Sequence, residues 1–175
     1  MDGQLRRGFT VLRYDSDGAV EFGMGTIPPG ERPYRPFQVQ TEDKTILVND
    51  RTEVHTGQQD YIGAFEVTDE GQAFYFTLTL DGTPTVDVIL LSAVTGDVLV
   101  DGYVRSPGAR PLPGPALLAE VLPAGQTFKR FVPVNPGRYY LLLDHSDQAG
   151  HGPKPDLTVD RPGKIDYLVM VGDAP

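Results

Sequence analysis

The chain has 175 residues, a formal net charge of −9, 39% hydrophobic residues, eight Phe, eight Tyr and no cysteine. This length and composition predict a single domain that can bury a proper core without disulfides or metals. The absence of cysteine excludes disulfides, thiolate zinc sites and a cysteine nucleophile. The sequence has no basic stripe and no long apolar segment, which argues against nucleic acid as a partner and against membrane insertion.

Apolar and polar residues alternate with a period of two along most of the chain, which predicts about eleven short strands. In residues 72–80, QAFYFTLTL, this period places Phe74, Phe76, Leu78 and Leu80 on one face. Gly, Asn, Asp and Pro punctuate the strands as turn signals. In chain order the predicted strands are 9–14, 19–24, 37–40, 45–49, 61–67, 72–80, 86–92, 97–104, 128–134, 138–144 and 164–171. The expected fold class is all-β: an antiparallel β-sandwich, jelly-roll-like, with almost no helix.

The predicted domain organisation is a single domain over residues 1–175. An N-terminal hairpin at about 9–24 leads into a Pro-rich connector at 25–36. Because an isolated hairpin is marginally stable, we expect it to dock on the sandwich. The single helix candidate is 115–122, PALLAEVL, with a proline at its first position. It lies in a long connection at about 105–125, whose Pro-rich start predicts a stiff crossover.

The central part of the chain carries a family resemblance. Residues 60–102, DYIGAFEVTDEGQAFYFTLTLDGTPTVDVILLSAVTGDVLVDG, and residues 134–144, VNPGRYYLLLD, hold its motifs. Over residues 60–144 the chain resembles bacterial pre-peptidase C-terminal domains and similar jelly-roll sandwiches. The insertion at 105–125 departs from that pattern. The resemblance implies a non-catalytic appendage of a secreted bacterial protein.

A cluster of metal-ligand residue types follows the predicted strand 138–144. Asp144, His145, Asp147 and His151 supply carboxylate oxygens and imidazole nitrogens, which are the donors of zinc and other transition-metal sites. These four residues are the predicted metal site. The alternative is that Asp144 accepts hydrogen bonds from backbone N–H groups of the following loop and holds that loop in place.

A structural Ca²⁺ between loops is the one cofactor that the sequence suggests, and no other is expected. Asp15 and Asp17 precede Gly18 as in the start of a calcium loop, but Ala19 stands where the third ligand should be. A hairpin turn explains this segment better. Further carboxylates lie near predicted strand ends: Asp81, Asp97, Asp101, Asp156, Asp160 and Asp166.

Three tyrosines form a predicted ligand-binding platform. Tyr75, Tyr103 and Tyr140 fall on the faces opposite the predicted core residues of their strands, and the chain has no tryptophan to serve instead. Exposed rings of this kind would suit a glycan. The alternative is that both faces of these strands are covered, as the apolar run RYYLLL at 138–143 indicates.

The sequence lacks the G-x-S-x-G, Walker A, G-x-G-x-x-G and H-E-x-x-H motifs, so we expect no enzyme. The predicted function is a non-enzymatic binding or structural module of a bacterial exported or cell-envelope protein. Its protein or glycan partner would bind at end loops or at an exposed edge strand. The alternative is a carbohydrate- or calcium-binding sandwich, and a second is a hydrolase whose two carboxylates are distant in sequence.

The expected location is extracellular, periplasmic or in the cell envelope. Residues 1–8 contain no apolar signal segment, so this expectation requires that a leader has been removed before them. A cytoplasmic location is the alternative. The sequence does not specify the ligand, the parent protein or the oligomeric state.

Overall fold

The computed structural model describes residues 10–14, 20–22 and 44–175. Its elements are β1 Thr10–Tyr14, β2 Val20–Phe22, β3 Lys44–Val54, β4 Gln58–Val67, β5 Gln72–Asp81, β6 Thr85–Ser92, α1 Ala93–Arg105, β7 Leu118–Pro123, β8 Thr127–Val134, β9 Gly137–His145 and β10 Gly163–Asp173. The strands form a six-stranded sheet in the order β2-β1-β4-β9-β6-β7 and a four-stranded sheet in the order β3-β10-β5-β8. The expected all-β sandwich with little helix is confirmed.

All strand pairs are antiparallel except β1 and β4, which run parallel with Val11 opposite Gly63. The structure therefore places the described strands of the N-terminal hairpin at one side of the six-stranded sheet. The predicted strand 37–40, the Pro-rich connector 25–36 and the predicted turn at Asp15 and Asp17 lie outside the described residues.

The main core lies between the two sheets. Every second residue of β5, from Phe74 to Leu80, points into this core, as the sequence pattern predicts. These side chains pack with every second residue of β9 and β10. Burying each large aliphatic or aromatic side chain of this kind contributes about 1.5–3 kcal/mol. The fully buried members include Phe74, Leu78, Leu90, Leu141, Leu143, Ile165, Tyr167 and Val169.

A second apolar cluster covers the opposite face of the six-stranded sheet. Helix α1 supplies Leu99 and Tyr103, which pack over Tyr61, Ile89 and Leu142. Consequently β9 is buried on both faces, since its odd residues enter the main core and its even residues lie under the helix. The prediction from RYYLLL that both faces are covered is confirmed.

The predicted strand 97–104 is wrong, because these residues form helix α1. Val98 and Val104 suggested a strand through their alternation, but they are 57% and 51% exposed. The buried positions are instead Thr95, Leu99 and Tyr103, each four residues apart and therefore on one helical face, together with Gly96. Burial of that face decides the conformation against the β-propensity of valine.

The predicted helix 115–122 is also wrong, because β7 occupies Leu118–Pro123 and pairs with β6. Leu122 points into the main core, while Ala119 packs against the cluster under α1. So short an apolar run fits either conformation, and pairing with an open sheet edge decides it.

The described part of the chain contains no helix long and apolar enough to cross a membrane.

Candidate functional site

The structure does not bring the four predicted metal ligands together, and Asp144 and His145 separate because β9 sends neighbouring side chains to opposite faces. His145 lies on the inner side, where its Nε2 is 3.1 Å from the hydroxyl of Thr83 and its Nδ1 is 3.4 Å from the carbonyl of Val54. Burial lowers the pKa of His145, which favours the neutral imidazole. His145 is therefore a hydrogen-bonded residue of the interior.

Asp144 lies on the outer side of β9 and holds the loop that follows. Its carboxylate accepts hydrogen bonds from the Ser146 hydroxyl at 2.5 Å and from the Ala149 N–H at 3.2 Å. The prediction that Asp144 anchors this loop is confirmed. Asp144 is only 1% exposed, and burial raises its pKa to about 6, with a further contribution from the charge of Asp87.

Asp87 is the second anchor of the same loop. It lies directly opposite Asp144 on the neighbouring strand β6, and its carboxylate accepts the N–H groups of His151 at 3.0 Å and Gly152 at 2.9 Å. The loop passes so close that a Cβ on Gly150 would be 2.2 Å from the carboxyl carbon of Asp87. The glycines of the loop are therefore required by its contact with Asp87.

The remaining predicted ligands face elsewhere. The Asp147 carboxylate accepts a hydrogen bond from the Gln148 side-chain amide, and its carbonyl accepts one from the Lys154 ammonium. His151 is exposed and uses its backbone N–H toward Asp87. Within residues 44–175 and the two short N-terminal strands, no group of three or more His, Cys, Asp or Glu is arranged to hold a metal ion.

Asp87 and Asp144 form the kind of carboxylate pair that the hydrolase alternative requires, since directly opposite residues have Cβ atoms about 4.5–5.5 Å apart. Both carboxylates are nevertheless buried and engaged by the loop. Neither carboxylate lines the two clefts described below. The hydrogen bonds of both carboxylates to the loop support an anchoring role.

A cleft of about 310 Å³ opens at the end of the sandwich beside this loop. His145 and Thr83 lie at its buried side, while Lys154, Asp156 and Arg161 line its exposed side. The two cations and the carboxylate give its walls mixed charge. The cleft offers polar groups to solvent but shows no arrangement specific to one ligand.

The structure does not bring the three predicted platform tyrosines together. Tyr103 lies on helix α1, with its ring centroid 5.9 Å from that of Tyr61, and is buried. Tyr140 is also buried under the helix, where its hydroxyl donates to Asp97 at 2.7 Å. Only Tyr75 lies on the four-stranded sheet and keeps part of its ring exposed. A platform of these three rings is therefore absent.

Tyr75 instead belongs to an apolar row that crosses the outer face of the four-stranded sheet. The strand registers place Ile46 of β3 opposite Met170 of β10, Met170 opposite Tyr75, and Tyr75 opposite Phe131 of β8. The Tyr75 and Phe131 ring centroids are 6.2 Å apart. Ile46 is 48% exposed and Phe131 52% exposed, so both ends of the row face solvent, whereas Met170 between them is buried.

A shallow groove of about 270 Å³ follows this row and is positively charged. Lys44 lies over the Tyr75 ring, 4.6 Å from its centroid, and Lys129 lies beside Phe131 on β8. Arg130 also borders the groove, but it lies opposite the core residue Phe76 and its guanidinium pairs with Glu120 of β7 at 2.7 Å. The described lining has three cations and no carboxylate: Lys44, Tyr75, Phe76, Thr77, Lys129, Arg130, Phe131 and Met170. We call this surface the aromatic–cationic groove.

The sequence contained signals for three members of this groove. The period of two in β5 placed Tyr75 on the face away from the core, and the same period in β8 places Lys129 and Phe131 together. Their partners, Ile46 and Met170, lie on strands far away in sequence. Strand order and register are therefore needed to assemble the row.

No protein-family model matches the chain, and no curated protein matches it. Among solved structures, it is similar to PliG of Aeromonas hydrophila, a periplasmic lysozyme inhibitor of g-type lysozyme. The identity is 12%, covering 78% of this chain and 93% of that chain, with a TM-score of 0.41.

The chain is also similar to a protein of the disulfide-linked pili that form Bacillus endospore appendages. The identity is 13%, covering 81% of this chain and 99% of that chain, with a TM-score of 0.37. Likenesses this distant say nothing about function, and the present chain has no cysteine with which to form disulfides. The expected resemblance to pre-peptidase C-terminal domains is supported only at the level of a β-sandwich.

Proposed function

We propose that the chain is a non-enzymatic binding module of a bacterial exported or cell-envelope protein and that its partner docks on the aromatic–cationic groove. One observation carries the proposal. The apolar row Ile46, Met170, Tyr75 and Phe131 is aligned in register across all four strands of a sheet, and its ends are exposed. Isolated exposed apolar residues are common on proteins, but a contiguous apolar row rimmed by polar groups is typical of a binding surface.

The charge of the groove indicates the class of partner. The formal net charge of the whole chain is −9, yet the charged residues in the described lining of the groove are all cations. Neither Lys44 nor Lys129 has an ion pair among the described residues. A partner with acidic groups would complete these charges, while the negative remainder of the surface would repel it elsewhere. We therefore propose an acidic macromolecule, a protein or an anionic glycan, as the partner.

The proposal is tested by binding of the chain to immobilised acidic polypeptides and anionic polysaccharides. Phe131→Ala removes an exposed ring and should leave the fold intact, but it should weaken binding about tenfold. Val94→Ala is the matched control, because Val94 is 84% exposed on the other side of the molecule. Equal binding by both variants would exclude the groove as the docking site.

The proposed location needs a separate measurement. Fractionation of the source cells, followed by detection with an antibody against the chain, should find it outside the cytoplasm. Recovery solely in the cytoplasmic fraction would contradict the proposal of an exported module.

A further inference from the structure

We infer that the free edge of β8 binds an extended acidic peptide segment of a partner protein, which adds to the four-stranded sheet as a fifth strand. An apolar side chain of that segment would lie opposite Phe131, and an acidic side chain two residues away would lie opposite Lys129. The inference rests on the proposed function, because it names the partner of the same groove. It depends on the open edge of β8 and on the register of the apolar row.

The edge of β8 is open and regular. The strand stands last in the order of its sheet, and no described strand pairs with its other side. Its eight residues pair with β5 without a register shift. The opposite edge strand, β3, has an irregularity where β10 passes from Val169 to Met170. An edge with unpaired N–H and C=O groups is a template for another strand, so β8 is the better of the two templates.

The register explains which side chains the added strand should carry. Directly opposite residues on neighbouring strands have Cβ atoms about 4.5–5.5 Å apart. A fifth strand would therefore continue the row beyond Phe131 with one more apolar side chain and cover that half-exposed ring. Residues two positions apart share a face, so the neighbouring outward position lies opposite Lys129. A carboxylate there would pair with the Lys129 ammonium.

The cations of β8 have a competing explanation. Lysine and proline on edge strands discourage unwanted pairing, and β8 carries Lys129, Arg130 and Pro133. The Arg130 guanidinium also donates to the Lys129 carbonyl at 2.8 Å. Edge protection does not explain the exposed Phe131 in register with the row, since a protected edge avoids apolar side chains. Cations beside an exposed Phe131 fit an edge that rejects neutral and basic strands and accepts acidic ones.

A peptide fits these features better than an anionic glycan. Both could contact the rings and the lysines, but only a peptide has the backbone groups to pair with the edge of β8. Selective modification of the peptide backbone therefore separates the two partner classes. Protection of β8 amides from hydrogen exchange in the complex is a second, direct readout of strand pairing.

The experiment uses the full chain and a fluorescent peptide, Thr-Glu-Thr-Phe-Thr-Glu-Thr-Phe-Thr-Glu. Fluorescence polarisation should show saturable binding that weakens with added salt. Phe131→Ala and Lys129→Glu should each weaken it about tenfold. Val94→Ala and Lys154→Glu, which make the same kinds of change outside the groove, should alter it less than about twofold. Two further peptides are N-methylated, one at the odd-numbered and one at the even-numbered residues, and at least one of them should not bind.

Three results would overturn the inference. If both N-methylated peptides bind as well as the parent, no strand pairing occurs. If an oligogalacturonate binds in a Phe131-dependent manner and the peptide does not, the proposed function survives with a glycan partner. If neither probe distinguishes Phe131→Ala from Val94→Ala, the groove is not a binding surface and both proposals fail.

Discussion

At the scale of single residues, Asp144 shows how burial can make a carboxylate a pH-dependent element of stability. Its pKa rises from 3.8 to about 6 in the folded chain, because the carboxyl is buried beside Asp87. Between these values the folded state keeps a proton that the unfolded state has lost. The stability that Asp144 contributes is complete below about pH 4 and is lost as the pH rises through about 6.

Asp144→Asn should remove this dependence. A shift of about two pKa units corresponds to at most about 3 kcal/mol, so the wild type should lose up to that amount relative to the variant between about pH 4 and 7. Urea denaturation at a series of pH values measures the difference. Asp101→Asn, at an exposed position of α1, is the control. Parallel pH profiles of wild type and Asp144→Asn would contradict the prediction.

The loop over Asp87 makes a steric prediction. Gly150 and Gly125 have nearly the same backbone conformation, with φ of +75° and +73°, but only Gly150 contacts Asp87. Gly125→Ala should cost about 1–2 kcal/mol for the left-handed conformation alone. Gly150→Ala should cost a further 1–3 kcal/mol or so, because its Cβ would overlap the carboxyl group. Equal free energies of unfolding for the two variants would exclude the contact.

The two anchoring carboxylates differ in how far the sequence could predict them. Asp144 stands at the boundary between an apolar strand and a glycine-bearing loop, and that position suggests loop anchoring. Asp87 lies inside the apolar strand β6, next to Val86 and Val88. Only the pairing of β6 with β9 places it beside the loop, and that pairing joins residues far apart in sequence.

At the scale of elements, α1 is the main difference between the predicted and the observed structure. Its valines have the alternation of a strand, while the large apolar side chains of its buried face are Leu99 and Tyr103. The sequence contained both patterns, and local propensity favoured the wrong one. The apolar outer face of the six-stranded sheet requires a cover, and one helical stripe supplies it.

Leu99→Ala should therefore destabilise the whole chain. Leu99 is 2% exposed in the cluster under α1, and truncation of a buried leucine costs about 2–5 kcal/mol. Val94→Ala, on the exposed side of the same helix, should change stability by less than about 0.5 kcal/mol. Chemical denaturation compares the two variants. Similar small effects would show that α1 is not docked through this face.

At the scale of the whole molecule, the two sheets differ in what covers them. The six-stranded sheet has apolar side chains on both faces, as the run RYYLLL of β9 indicated. The four-stranded sheet has threonines and lysines among its outward positions, which is typical of a solvent-facing side, although Leu168 and Met170 on the same face are buried. The sequence thus indicated which sheet could offer a surface, whereas the aligned row on it depends on strand order.

The N-terminal hairpin provides the test of the single-domain prediction. Since β1 pairs with β4, removal of residues 1–43 should expose an edge of the six-stranded sheet and lower the midpoint of urea unfolding. The full chain should unfold in one cooperative transition, because a hairpin whose β1 pairs with β4 should unfold together with that sheet. Circular dichroism and tyrosine fluorescence should give the same midpoint. Two separate transitions, or a truncated chain as stable as the full one, would show that the hairpin is an independent appendage.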